Sequence, residues 1–190
     1  IKKSDRLTIE TAAGIKTIEL TTASGNVTQV KVEMGIPGLL RNEIPMLGEN
    51  EQVIDVPLQV NDTVLNITCV SMGNPHCITF VDDVDSVDLN VTGKAIENHE
   101  LFPERINAHF VQQISADKVK MRTWERGSGE TLACGTGAVA TGVACVLNKL
   151  TERVINTQLP GGELTVEWTE DNKPYMTGPA EFVFTGLWNK

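Results

Sequence analysis

The stretch ERGSGETLACGTGAVATGVACVLN, residues 125–148, decides how this chain is read. Over residues 131–148 it carries no charge, and nearly every side chain is small or apolar. Such a run predicts a helix from about residue 134 to 149 that is apolar on all sides and therefore buried. The run reaches the lower length for a membrane span. Its Gly135, Thr136, Gly137, Thr141, Gly142 and Asn148 make it too polar and too small for that role. A central helix inside a domain fits better.

The surroundings of this helix read as strands. RLTIETA and KTIELTT flank the turn signal Ala13-Gly14, and VTQVKVEM follows Ser24-Gly25-Asn26, which predicts a three-strand meander over residues 6–34. Residues 35–50, with Pro37, Gly38 and Pro45, read as a long loop and a candidate domain boundary. QVIDVPLQV and TVLNITCVSM are joined at Asn61-Asp62 as a hairpin, and HCITFVD follows the break at Gly73-Asn74-Pro75. Residues 90–99 read as a short helix with Val91, Ala95 and Ile96 inward. NAHFVQQIS, KVKMRTWE, ELTVEWTE and segments at residues 174–176 and 180–185 complete the strands. Strands outnumber helices and do not alternate with them, so the class is α+β with a mostly antiparallel sheet wrapped around one buried helix.

Composition narrows the function. The chain has 190 residues and a formal net charge of −9. That balance argues against nucleic acid or an anionic membrane as partner, since both select a basic footprint. No targeting segment is evident in the polar opening IKKSDR. Because the first residue is Ile1, the sequence is expected to be a processed chain or a piece of a longer one. Cys69, Cys77, Cys134 and Cys145 show no C-x-x-C spacing, so a zinc or dithiol motif is not expected. Cys134 and Cys145 would be separated by about 16 Å along the helix, beyond disulfide reach. Free thiols and a cytoplasmic setting follow.

Cys134 is the foremost candidate for chemistry. It stands at the mouth of a glycine-rich turn, where backbone N–H groups and the helix dipole favour negative charge and a thiol pKa below its usual value. Gly135 and Gly137 leave the backbone open to a ligand, and Thr136 adds a hydroxyl. The competing reading is a small buried residue, which is how most free cysteines serve and how Cys145 is read. Strand periodicity puts Glu125 on the apolar face with Val119, Met121 and Thr123, so its carboxylate is paired or functional. Arg126 in the following turn can clamp a carboxylate, or it forms a surface ion pair. His76 shares a face with Ile78 and Phe80 and points to a core or cleft next to Asn74. Asn107 starts a strand and could offer an amide. His99 and His109 have no comparable context.

Taken in series, MGNPHC at residues 72–77, FPERIN at 102–107 and WERGSGETLACGTGA at 124–138 resemble the diaminopimelate epimerase family, over essentially the whole chain. The resemblance implies two similar domains facing across a cleft, each with a cysteine at the start of a central helix. It implies no cofactor and no metal. One thiolate removes an α-proton and the other thiol returns one from the opposite face, interconverting LL- and meso-diaminopimelate for lysine and peptidoglycan synthesis. Without a cofactor as electron sink, the carbanion needs preorganised donors around its carboxylate.

By the same resemblance Cys134, Glu125 and His76 are catalytic, and Asn74, Asn107, Glu125, Arg126, Gly135 and Thr136 bind substrate. A homodimer is implied for the full-length protein. The second glycine-framed cysteine of that family is not among these residues. Residues 1–34 are therefore expected to be the last strands of an N-terminal domain, residues 35–177 a complete C-terminal domain, and residues 178–190 a return segment. The fragment alone is expected to be inactive. A proline racemase-type enzyme, a cysteine nucleophile and a non-catalytic binding module are the competing functions.

Overall fold

The computed structural model of the chain describes residues 4–11 and 14–187. The turn expected at Ala13 and the chain ends, residues 1–3 and 188–190, lie outside them. Three strands open the fold: β1 (Arg6–Thr11), β2 (Gly14–Ala23) and β3 (Asn26–Glu33). They pair antiparallel as the expected meander, with a register irregularity at Thr21/Thr22. After a loop come β4 (Val56–Val60), β5 (Thr63–Ser71) and β6 (Pro75–Phe80). β4 and β5 form the expected hairpin, and Asn61 takes a positive φ of 53° in its turn. Asparagine tolerates that conformation better than a branched residue does.

Next follow a π-helical turn (Leu89–Gly93) and the one-turn helix α1 (Lys94–Glu97). The expected short helix is therefore present, but one of its three inward residues is not inward. Val91 is 55% exposed, whereas Ile96 is fully buried. The wider π-helical turn changes the residue phase on which the 3.6-residue reading rested. Strands β7 (Asn107–Ser115), β8 (Lys118–Glu125) and the short β9 (Gly129–Thr131) lead into helix α2 (Gly135–Leu147). The chain ends in β10 (Val154–Leu159), β11 (Gly162–Trp168) and β12 (Pro174–Pro179).

Among the described residues these strands form a single sheet in the order β1-β2-β3-β12-β11-β10-β8-β7-β6-β5-β4, with β9 paired to β8. Pairing is antiparallel except for β6 with β7 and β8 with β10. In the second parallel pair, α2 lies between the two strands in the chain and reverses its direction, as a parallel connection requires. The mostly antiparallel reading thus holds. One strand assignment does not. Residues 180–185 form no strand, and Phe182, Val183 and Phe184 are each at least 80% exposed. Strand β10 has no counterpart in the sequence reading; its partner β8 lies on the far side of α2 in the chain.

α2 packs against β5, β6, β7, β10, β11 and β12, so the sheet curls around it. Every residue from Gly137 to Cys145 is buried. Its small side chains let strands approach closely. A Cβ on Gly142 would come within 2.6 Å of Val166 Cγ1. The helix ends on Lys149 at φ 58°, with Leu150 N–H bonded to Cys145 O and Lys149 N–H to Val146 O, both at 3.0 Å. That pair of bonds satisfies the last carbonyls of the helix. No helix among the described residues is long and apolar enough to cross a membrane.

Two apolar clusters hold the sheet. Val70, Ile78, Val111, Val119 and Met121 face α2. Ile67, Cys69, Cys77, Ala108 and Phe110 alternate with them and face the loops around α1. The alternation is the two-residue period of the strands, and it sends His76 to the α2 side with Ile78.

Candidate active site

The site is built by the return of the chain after β8. Glu125 ends that strand, and Gly127 and Gly129, both at φ 80°, turn the chain back. β9 then pairs Glu125 with Gly129 and Thr123 with Thr131. Three residues later the chain reaches Cys134, the N-cap of α2, where the backbone is still extended. The Leu132 carbonyl, held by the Gly161 N–H at 2.7 Å, anchors this approach. A carboxylate and a thiol nine positions apart in sequence are thereby brought close enough for Glu125 to act on the acidity of Cys134.

Cys134 is 5% exposed. Its thiol pKa stands at about 11, above its ordinary value, because burial removes water from the thiolate and because Glu125 accepts a hydrogen bond from the thiol and repels its anion. This corrects the expectation of a lowered pKa. The helix start does act in the expected direction: the Gly137 backbone N–H and the Thr136 hydroxyl, the latter 3.8 Å from Sγ, favour the thiolate. Desolvation and a neighbouring carboxylate outweigh them. Cys134 is therefore a protonated thiol at rest, and its anion needs the N-terminal donors once the proton leaves.

His76 lies at the start of β6, fully buried. Its Nδ1 is 2.8 Å from His109 Nε2 and its Nε2 is 3.0 Å from Asn74 Oδ1. Asn74 Nδ2 donates to Thr136 Oγ1 at 3.3 Å. The expected residues Asn74, His76, Glu125, Thr136 and Cys134 are thus linked in one place, and Gly135 opens α2 beside them under Met176, whose sulfur would lie 3.3 Å from a Cβ there. Burial, then His109 and Arg126, push the His76 pKa well below its usual value. His109, for which the sequence reading had no role, is fully buried, has its pKa lowered to about 3 by burial, and contacts Thr123 Oγ1 at 3.0 Å. Its one sequence signal was strand period, which puts it on the α2 side of β7 with Val111.

Asn107 and Arg126 lie one layer out. Asn107 Nδ2 donates to Pro75 O at 2.9 Å, and its Oδ1 accepts from the Arg126 N–H at 2.9 Å. Its amide therefore ties the starts of β6 and β7 to the turn after β8, with one amide hydrogen still to spare. The Arg126 guanidinium donates to Glu104 O at 2.9 Å. Glu97 is a second residue that the sequence did not single out. Buried at 5% exposure, it accepts from Trp124 Nε1 at 2.7 Å, Gly127 N at 2.8 Å and Arg105 Nη1 at 3.1 Å. It fastens the ERGSG turn to α1.

His76, His109 and Cys134 also bring two nitrogens and a sulfur within 4.8 Å of one another, a donor set of the kind zinc takes. The facing imidazole nitrogens share a hydrogen bond at 2.8 Å. Two nitrogens on a tetrahedral zinc would stand about 3.3 Å apart. His76 Nδ1 and His109 Nε2 cannot both take one ion while that hydrogen bond stands.

Comparison with known proteins puts a family to this arrangement. The diaminopimelate epimerase family model matches residues 68–183. The chain belongs to the diaminopimelate epimerase family. It is 50% identical over 184 residues to the diaminopimelate epimerase of Pelotomaculum thermopropionicum, and 53% identical over 184 residues to that of Rippkaea orientalis. These alignments cover 97% and 92% of this chain and 66% of each relative, so the chain spans just under two thirds of their length. Among solved structures, a probable proline racemase from Agrobacterium radiobacter matches with a TM-score of 0.65 at 15% identity, over 97% of this chain and 63% of that one. A hydroxyproline epimerase from Agrobacterium vitis matches with a TM-score of 0.65 at 13% identity, over 94% of this chain and 58% of that one. At such identities the likeness concerns the fold.

Proposed function

We propose that this chain carries one half of the active site of a cofactor-independent amino-acid epimerase acting on diaminopimelate, with Cys134 as the proton carrier on one face of the α-carbon. The observation that carries this reading is the resting Cys134 thiol, set between the Glu125 carboxylate and the N-terminal donors of α2. A base on the opposite face takes the α-proton. The Cys134 S–H bond breaks as the new C–H bond forms, and the sulfur is left as a thiolate facing the Gly137 N–H and the Thr136 hydroxyl. In the reverse direction that thiolate removes the proton. Gly135 and Thr136 hold the carboxylate of the reacting centre, where charge develops. Asn74, Asn107 and Arg126 hold the distal amino-acid end, while Glu125 and His76 orient the substrate amine or tune the thiol.

Inversion needs an acid on one face and a base on the other. Cys69, Cys77 and Cys145 are each at most 1% exposed, within β5, β6 and α2, so none of them is placed to be the second carrier. The second group then comes from outside these 190 residues, together with the opposite wall of the cleft. On this reading residues 1–34 and 178–190 belong to the facing domain and residues 35–177 form one complete domain. A homodimer and a cytoplasmic setting in lysine and peptidoglycan synthesis belong to the same proposal.

The test is deuterium incorporation. The gene product containing these residues, given LL-diaminopimelate in heavy water, is expected to form meso product labelled at the α-carbon. Cys134→Ser is expected to lose at least 100-fold in rate, while proline is not turned over. A fully active Cys134→Ser variant would overturn the role of Cys134. Full-rate turnover by the 190 residues alone would overturn the half-site reading.

A further inference from the structure

We propose that His109 and Thr123 are positioning residues that fix the tautomer of His76 and so orient a single file of hydrogen bonds onto the Cys134 sulfur. Five contacts form the file. Thr123 Oγ1 meets His109 Nδ1 at 3.0 Å, and His109 Nε2 meets His76 Nδ1 at 2.8 Å. His76 Nε2 meets Asn74 Oδ1 at 3.0 Å, Asn74 Nδ2 meets Thr136 Oγ1 at 3.3 Å, and Thr136 Oγ1 meets Cys134 Sγ at 3.8 Å.

One link sets the direction of all the others. An amide oxygen only accepts, so His76 Nε2 carries the hydrogen. A neutral imidazole has a single N–H, so His76 Nδ1 accepts, and His109 Nε2 must donate to it. His109 Nδ1 is then an acceptor, and the Thr123 hydroxyl donates to it. At the other end, the Asn74 amide hydrogen occupies a Thr136 lone pair, which leaves the Thr136 hydrogen to point at sulfur. Burial keeps both rings neutral, as this bookkeeping requires. Turning the Asn74 amide over would reverse every link and make the sulfur the donor. The two polarities therefore differ in the His76 tautomer, and the one with Asn74 Oδ1 toward His76 Nε2 is the polarity that solvates a thiolate.

His109 acts only through His76. It is fully buried beneath α2, and a Cβ on Gly137 would stand 2.3 Å from its Cε1. Glycine at that position is what lets the ring lie under the helix start. The other charged or titratable groups bearing on Cys134 are Glu125 from the end of β8 and, through His76, Arg126 in the turn after it.

The inference rests on the proposed role of Cys134 for its purpose, but its readouts need no turnover and so fail or succeed separately from that role. Long-range ¹⁵N–¹H correlation spectra of the 190-residue chain should show His76 and His109 protonated at Nε2 and bare at Nδ1. Iodoacetamide labelling of Cys134 at pH 9, followed by peptide mass, reads its thiolate fraction. His109→Phe keeps the ring and removes both nitrogens. It should slow labelling about three- to tenfold, where one pKa unit is tenfold. His109→Gln, whose terminal amide can donate from the Nε2 position, should stay within about twofold of the parent. If His109→Phe does not fold, Thr123→Val is isosteric and should slow labelling in the same direction by a smaller factor. A His76 protonated at Nδ1 in the parent chain overturns the proposal. So does labelling at the parent rate in whichever of the His109→Phe and Thr123→Val chains folds.

Discussion

At the scale of single residues, Cys134 is held by opposing influences whose balance can be measured. The N-terminus of α2 pulls its pKa down, and burial with Glu125 pushes it up to about 11. Alkylation proceeds through the thiolate. At pH 8 about one part in a thousand of such a thiol is ionised, against about a quarter of an ordinary one. Labelling of Cys134 in the folded chain should therefore be at least 100-fold slower than after denaturation at that pH, and should climb about tenfold per pH unit up to pH 10. Glu125→Gln removes a cause that raises the pKa, so the midpoint should fall and labelling at pH 8 should speed up. A parent profile with its midpoint near 8.5, or a slower Glu125→Gln variant, would contradict this account of the site.

At the scale of elements, the ERGSG turn and α1 are joined by one carboxylate. Glu97 accepts from an indole, a backbone N–H and a guanidinium while almost fully buried. Glu97→Ala leaves the Trp124 and Gly127 donors without their acceptor. Arg105, whose side chain is 54% exposed, simply returns to water. Counting only the first two, with the exposed ion pair discounted, the loss is about 2–4 kcal/mol. The urea midpoint of the chain should fall accordingly, and a change below about 0.5 kcal/mol, within the noise of a surface substitution, would show that the turn is fastened by something else.

The same pair of elements shows what the sequence could and could not disclose. The bland run after Cys134 is legible as a buried helix because it is apolar on all sides and too rich in glycine and threonine to span a membrane. The directions of Glu125 and His76 are legible from strand period alone. Glu97 is not, since a π-helical turn upsets the helical phase just before it. His109 is not either, because its partners come from β6 and β8 and no local pattern in β7 foretells them. β10 escapes for the same reason: its parallel pairing with β8 is made across the whole length of α2.

For the molecule as a whole, burying two neutral histidines side by side sets a limit on acid stability. His109 titrates at about 3 and His76 well below its ordinary value, both mainly through burial. In the unfolded chain each binds a proton near pH 6.5. Below that pH the unfolded state holds more protons than the folded one, so unfolding becomes easier as pH falls. The stability tied to these groups is complete above pH 6.5 and is lost progressively toward the folded values. At pH 5.5 the loss is about 1.4 kcal/mol for His109, with a further loss in the same direction from His76, before most carboxylates have begun to protonate. That is a large share of the stability of an ordinary domain. Urea titrations at pH 7.5 and 5.5 should show a lower midpoint at the acid pH, and His109→Gln should remove part of the difference. Equal midpoints at the two pH values would mean that the histidine pair protonates without unfolding, and with it the neutral hydrogen-bonded file to Cys134 would have to be abandoned.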